Sequence, residues 1–311
     1  MMFRNSYRLL LANFGAFWKD FLYKLLVLGF VVAITIPVMG TIKSLPVLES
    51  FFESAEQLFL TFPFSNQSVF FEGLYDLSLT FLNLIRQLFN LHFATGIYLV
   101  FLYCLLMPFL FSLSDLAVSE VLYGSMASLT KYNFSASYIK KLVKSLAYSF
   151  FNTILNLIFV FLTASGVFGI LYLGITGDVS MLFVPALICL AIIVIMGFKL
   201  TLFAGWAPSI IVFNCGVFKG LKKGFIAVGR RFFKTYSSVA MLILLHLLFV
   251  SVFGVVSLAL LLPLFSVTLI IFQMVMFFGS QGMRYYVDTD TILSPKQLEE
   301  TDKFEDAKYI I

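Results

Sequence analysis

The sequence predicts an all-α, polytopic membrane protein with six transmembrane helices arranged as three hairpins and accompanied by interfacial amphipathic helices. Three observations carry that class. Of the 311 residues, 61% are hydrophobic and only 12% charged, with a mean hydropathy of +1.00. A soluble domain carries roughly twice that share of charge, and a disordered chain cannot be this apolar. Runs without Asp, Glu, Lys or Arg cover 25–42, 87–114, 145–177, 179–198 and 237–283, and a helix needs ~20 apolar residues to cross ~30 Å of hydrocarbon. The basic residues collect in alternate connections between these runs.

The predicted spans are about 25–42, 94–114, 148–174, 181–204, 238–260 and 264–284, forming one membrane domain over 1–284. The run 237–283 is long enough for two spans, and Pro263 sits where a tight turn would separate them. The fourth span is ambiguous, because Lys199 is followed by a further charge-free stretch, 200–218. Either the span ends near Ala204 with Lys199 snorkelling from its end, or it slides later and places Lys199 at mid-membrane. Trp206 and Pro208, an interfacial aromatic and a helix stop, favour the first.

All but Lys43, Arg86 and Lys199 of the 21 basic residues fall before span one, between spans two and three, between four and five, or after six. The opposite connections hold Glu49, Glu53, Glu56, Glu72, Asp76 and Asp178. The positive-inside rule then predicts both termini in the cytoplasm. The net charge of +5 is accounted for by this sorting and calls for no nucleic-acid partner. The first apolar run lacks a small-x-small cleavage site and reads as an uncleaved signal anchor. A bacterial plasma membrane is the expected location.

Each odd-numbered span follows a basic amphipathic segment. Phe3, Tyr7, Leu10, Phe14, Phe17 and Phe21 recur at helical spacing with Arg4, Arg8 and Lys19 off the stripe. Tyr138, Leu142 and Leu146 oppose Lys140, Lys141 and Lys144; Phe218, Leu221, Phe225, Val228 and Phe232 oppose Lys219, Lys223, Arg230 and Lys234, with Lys222 and Arg231 in the same basic segment. Such helices lie in the interface with cations at anionic headgroups, so the bilayer and its anionic lipids are the expected partners. The same segments could instead serve only to fix topology.

The string from Ala207 to Tyr236, with Pro208, Ile210, Ile211, Gly220, Leu221, Lys222, Gly224 and Phe232, resembles the cytoplasmic segment of six-helix bacterial proteins similar to the membrane domain of glycerophosphodiester phosphodiesterases. Gly224 stands where that pattern usually has Ser. The resemblance implies a six-helix membrane domain; the catalytic barrel of the phosphodiesterase has no counterpart in the sequence.

Residues 43–93 form the one sizeable outer segment, and it is apolar. Val47, Leu48, Phe51, Phe52, Ala55, Leu58 and Phe59 make one stripe up to Pro63; Phe70, Leu74, Leu77, Phe81, Leu84 and Leu88 make another. Two amphipathic helices over the outer mouth are expected, either as a lid on a cavity or as a cap on helix ends.

Catalytic and metal chemistry lack their constellations. Cys104, Cys189 and Cys215 are scattered, His92 and His246 do not sit in H-E-x-x-H, and no P-loop, G-x-S-x-G or G-x-G-x-x-G occurs. No enzyme activity, metal or cofactor is expected. The polar residues inside apolar runs are Asn152, Asn156, Lys199, His246 and Gln273. His246 and Gln273 fall at similar depth, ~17–18 Å along their helices, and could hydrogen-bond across the last hairpin. Such groups serve either as interhelical glue or as transport sites. The tail 285–311 is polar, and Ser294, Pro295 and Gln297 read as the start of a short helix that is either merely solvated or a dock for a partner protein.

The sequence therefore favours a non-enzymatic membrane protein with a structural, regulatory or assembly role that engages anionic lipid. A small-molecule or lipid transporter using Lys199, His246 and the outer lid is the alternative.

Overall fold

In the computed structural model, residues 2–61, 67–128, 130, 132–176, 183–229, 231–253 and 255–283 are described. Among them the chain is helical throughout, without strands. The helices are α1 (Met2–Ala12), α2 (Phe14–Thr35), α3 (Met39–Lys43), α4 (Val47–Thr61), α5 (Gln67–Leu91), α6 (Phe93–Val100), α7 (Met107–Ser112), α8 (Asp115–Ser128), α9 (Phe134–Thr176), α10 (Val184–Leu202), α11 (Trp206–Val212), α12 (Val217–Gly229), α13 (Phe232–Phe253) and α14 (Val255–Gln281). Five stretches are long and apolar enough to cross a membrane: Phe14–Lys43, Phe93–Ser128, Phe134–Gly174, Ala186–Val212 and Leu261–Gln281. Val217–Gly229 with Phe232–Leu248, bent by 96°, supplies a sixth if taken as one span. The protein is thus an all-α polytopic membrane protein.

The described chain forms two compact units, one drawn from Met1–Leu28, Pro108–Thr153 and Gly197–Ile311, the other from Gly29–Met107 and Ile154–Met196. In the first, α8 is the central helix. Its residues are buried on nearly every side, as expected of a helix with no polar face. It packs against α11 and α14, while α1 and α12 close on α14. Leu9, Phe17, Leu122, Met126, Ile271 and Met274 meet in this core.

In the second unit α4 and α5 pair as a hairpin, with Phe51 against Phe81 at 5.9 Å and Ser54 Oγ 3.5 Å from Thr80 Oγ1. Tyr75 of α5 is buried with Leu171 of α9 and Val184 of α10. Farther along, Ser78, Phe81 and Ile85 share an apolar groove of 450 Å³ with α9 residues from Val160 to Leu171 and with α10. The α5 helix therefore follows α9 for roughly 16 Å at 1.5 Å per residue. The two outer helices expected over the mouth of the bundle exist, but α5 lies along the flank of α9 and α10. The helix α2 gives way to a 3-10 turn at Ile36–Val38 that contains Pro37, and beside the break Tyr98 Oη donates to Ile34 O at 3.1 Å.

Four expectations need correction. Pro263 does not make the last turn: α13 ends at Phe253 and Pro263 lies inside α14, where a membrane helix tolerates it. The basic segment around Tyr138 is not a separate interfacial helix but the first part of the 43-residue α9, whose ~65 Å length exceeds the hydrocarbon twofold. The helix of span one does not begin after Lys24: α2 starts at Phe14 and carries Lys24 at its middle. On α12 the expected stripe is split: Phe218 and Phe225 are exposed, as an acyl-facing stripe requires, but Val228 turns inward with Val217, Gly220, Gly224 and Ala227. The turn after Thr61, Arg230 and the tail 285–311 lie outside the described residues.

Candidate functional site

The deepest polar cluster sits in the first unit, where α2, α8 and α14 meet. Asp20 and Lys24 stand one helical turn apart on α2, the i,i+4 spacing that brings an acid and a base together. Lys24 Nζ lies 3.0 Å from Asp20 Oδ2 and 3.2 Å from Asp115 Oδ1, and it donates to Ser266 Oγ at 2.8 Å. The side chains of Asp20 and Lys24 are 0% exposed and that of Asp115 is 15% exposed. The first contact is an ion pair off the axis of a hydrogen bond, and neither Asp20 oxygen has a hydrogen-bond partner among the described residues. Nearby, Tyr23 Oη donates to Leu110 O at 2.9 Å, and its ring packs 5.7 Å from that of Tyr138.

Farther along α8, Glu120 Oε1 receives Lys141 Nζ at 3.2 Å and Lys140 Nζ at 3.3 Å. Lys141 is 11% exposed and Lys140 68%, so the two contacts differ in solvent screening. On α9 the buried hydroxyls of Ser145, Ser149 and Thr153 repeat every fourth residue and have no hydrogen-bond partner among the described residues.

The α11–α12 hairpin covers most of the segment from Ala207 to Tyr236. Trp206 Nε1 donates to Val217 O at 2.9 Å, and Ser209 Oγ donates to Gly220 O. Asn214 turns the chain at φ 43°, a left-handed conformation that Asn tolerates better than most residues. Its Oδ1 accepts from Lys144 Nζ at 2.9 Å. Lys223 Nζ stands 3.9 Å over the Phe213 ring, a cation–π contact. Gly224 lies against the backbone of Gly205, so a Cβ at either position would meet backbone atoms.

No family model, curated protein or solved structure matches the chain.

The predicted site residues are distributed as follows. Arg8, Lys19, Lys219, Lys222, Lys223, Arg231 and Lys234 are exposed, while Lys140, Lys141 and Lys144 are engaged by Glu120 and Asn214. Arg4 belongs to α1, but its side chain is outside the described set. Lys199 is buried in the last turn of α10, at 8% exposure, and does not snorkel into solvent. Asn152 and Asn156 are half-buried on α9. The expected bond between His246 and Gln273 is replaced: His246 Nδ1 lies 2.8 Å from Leu242 O of its own helix, and the ring meets Phe265 edge-on at 4.6 Å. Gln273 is buried on α14.

Sequence reasoning missed Asp20, Asp115 and Glu120, and it counted Lys24 as a boundary charge. The available signal was the Asp20–Lys24 spacing inside an otherwise apolar helix. The described residues contain no group of three or more metal-ligating side chains.

Proposed function

We propose that this is a non-enzymatic multi-pass protein of a bacterial plasma membrane, with both termini cytoplasmic, that engages anionic lipid headgroups through basic helices in a structural, regulatory or assembly role. The observation that carries the reading is the surface of α12. The helix turns its small residues inward, leaving Phe218, Phe225 and Ile226 exposed beside exposed Lys219, Lys222 and Lys223. Apolar side chains that reach acyl chains next to cations that meet phosphates are what an interfacial helix requires. A pocket of 380 Å³ lined by Asn13, Lys19, Tyr132 and Asn133 gives a second place where a basic side chain could meet a headgroup. The likeness of Ala207–Tyr236 to six-helix membrane domains belongs to the same reading.

The test is lipid retention by the purified chain in nanodiscs of mixed phosphatidylglycerol and phosphatidylcholine. Each headgroup-facing lysine contributes about 1 kcal/mol, so replacing Lys219, Lys222 and Lys223 with Gln lowers the anionic preference by up to about a hundredfold at low salt. Equal retention of the two lipids by the unaltered chain would refute the reading.

A second reading, a small-molecule or lipid transporter, is favoured by the charges buried within α2, since ionisable groups at such depth are costly unless used.

A further inference from the structure

The Asp20–Lys24–Asp115 cluster has more acid than base. Lys24 donates hydrogen bonds to Asp115 and Ser266 and pairs by charge with Asp20, so its ammonium already serves both carboxylates. One ammonium against two carboxylates leaves a unit of negative charge in a place where an uncompensated ion costs several kcal/mol. The neighbours do not supply the missing charge. Tyr23 gives its hydroxyl hydrogen to Leu110 O. Tyr138 packs on Tyr23, and Tyr148, within electrostatic reach of Asp115, has its ring 4.9 Å from Trp206. Glu120 on α8 adds an acid, and its partners Lys140 and Lys141 both contact Glu120 Oε1. Lys19, adjacent in sequence to Asp20, is exposed and lines the pocket with Tyr132 and Asn133. Among the described residues nothing donates a hydrogen bond to Asp20 Oδ1.

We propose that Asp20 and Asp115 share one exchangeable proton, with Lys24 as the fixed counter-charge between them. A proton fits where a metal ion does not. An ammonium already stands between the carboxylates, so a metal cation there would face a like charge at close range, whereas a proton bonded to one carboxyl oxygen removes charge without adding any. It also creates a donor, which a carboxylate lacks.

The burial of the three side chains gives the route. Asp115, 15% exposed, is the exchange point; Asp20 and Lys24, at 0%, are sealed behind it. On uptake, a hydronium ion gives its proton to an Asp115 carboxylate oxygen, an O–H bond forms and water is left; release reverses this, with no electron transferred. The protonated cluster is neutral, and Lys24 then forms a balanced pair with Asp20. The deprotonated cluster carries a net negative charge between α2, α8 and α14. The site therefore makes the junction of three helices responsive to proton concentration. This goes beyond headgroup binding and does not rest on it.

The test is an infrared pH titration of the full chain in nanodiscs, carried out on the unaltered protein, Asp20→Asn, Asp115→Asn and the double variant. The expected result, in the difference between the unaltered protein and the double variant, is a carboxylic-acid C=O component that fades as pH rises and is altered in each single variant. The lack of any such component in that difference overturns the proposal. Should the double variant fail to fold, Ser266→Ala decides the matter. Removing the acceptor that holds Lys24 should displace the titration midpoint while the band persists, and an unmoved midpoint overturns the proposal. Adding sodium chloride in place of choline chloride should release no protons from the unaltered chain. Stoichiometric release would mean that a metal cation occupies the site, which also overturns the proposal. Neutralising Lys219, Lys222 and Lys223 should leave the titration unchanged.

Discussion

Gly205 and Gly224 meet backbone to backbone. A methyl group on Gly205 would lie 2.7 Å from Gly224 O, and one on Gly224 would lie 2.7 Å from the carbonyl carbon of Gly205. Neither neighbour is a flexible side chain, so the clash can be relieved only by moving a helix. Gly224→Ser is therefore expected to destabilise this chain by about 1–3 kcal/mol, as overpacking does. Thermal unfolding in detergent measures it. Gly279→Ala, where nothing lies within 4 Å, should be neutral or gain up to ~1 kcal/mol of helix propensity.

The buried charges should show strong coupling. Lys24→Met leaves two carboxylates facing each other without their ammonium and is expected to cost about 3–5 kcal/mol. Adding Asp20→Asn and Asp115→Asn to that variant should recover much of the loss. A double-mutant cycle on unfolding free energies checks this: additive losses would mean that the three side chains do not act as a unit.

Lys140 and Lys141 offer a comparison within one carboxylate. Lys140→Met should change stability by no more than ~1 kcal/mol, because its 68% exposed ammonium is screened by solvent. Lys141→Met, which strips a largely buried partner from Glu120, should cost clearly more. Denaturant titration of the two single variants gives the ranking.

The chain has two tryptophans, and they report on different places. Trp206 is buried and bonded to Val217 O, while Trp18 is exposed and stacked between Phe14 and Phe21. With Trp18→Phe in place, the remaining emission should resist aqueous quenchers until the α11–α12 hairpin opens. Trp206→Phe should cost about 1–3 kcal/mol, because it leaves a buried carbonyl without its donor.

What could be read from the sequence follows from what charge-free runs measure. They locate spans well, since a charge at a helix centre costs ~2.5–3.5 kcal/mol on insertion, and the apolar runs reappear as helices. The same criterion treats each charge as a boundary. It therefore misplaced the start of α2 at Lys24, whose compensation comes from Asp115 and Ser266, far away in the chain. Asp115 was read as the residue after a span, although α8 continues beyond it. On α12 periodicity found the exposed Phe218 and Phe225 but set Val228 on the same face, and it missed the inward face, where packing rewards Gly220 and Gly224, which have no side chain to weigh. The resting place of α5 on α9 depends on a register between distant helices, which periodicity does not encode.

The central position of α8 also bears on biogenesis. It is made before most of what surrounds it: Lys140 and Lys141 follow soon after Glu120, but α11 and α14 come much later in the chain. Until α14 has been synthesised, Lys24 lacks its Ser266 acceptor and α8 waits with an unfinished apolar coat. A chain stopped before Val255 would therefore keep these ion pairs but leave the face of α8 that packs on α14 uncovered.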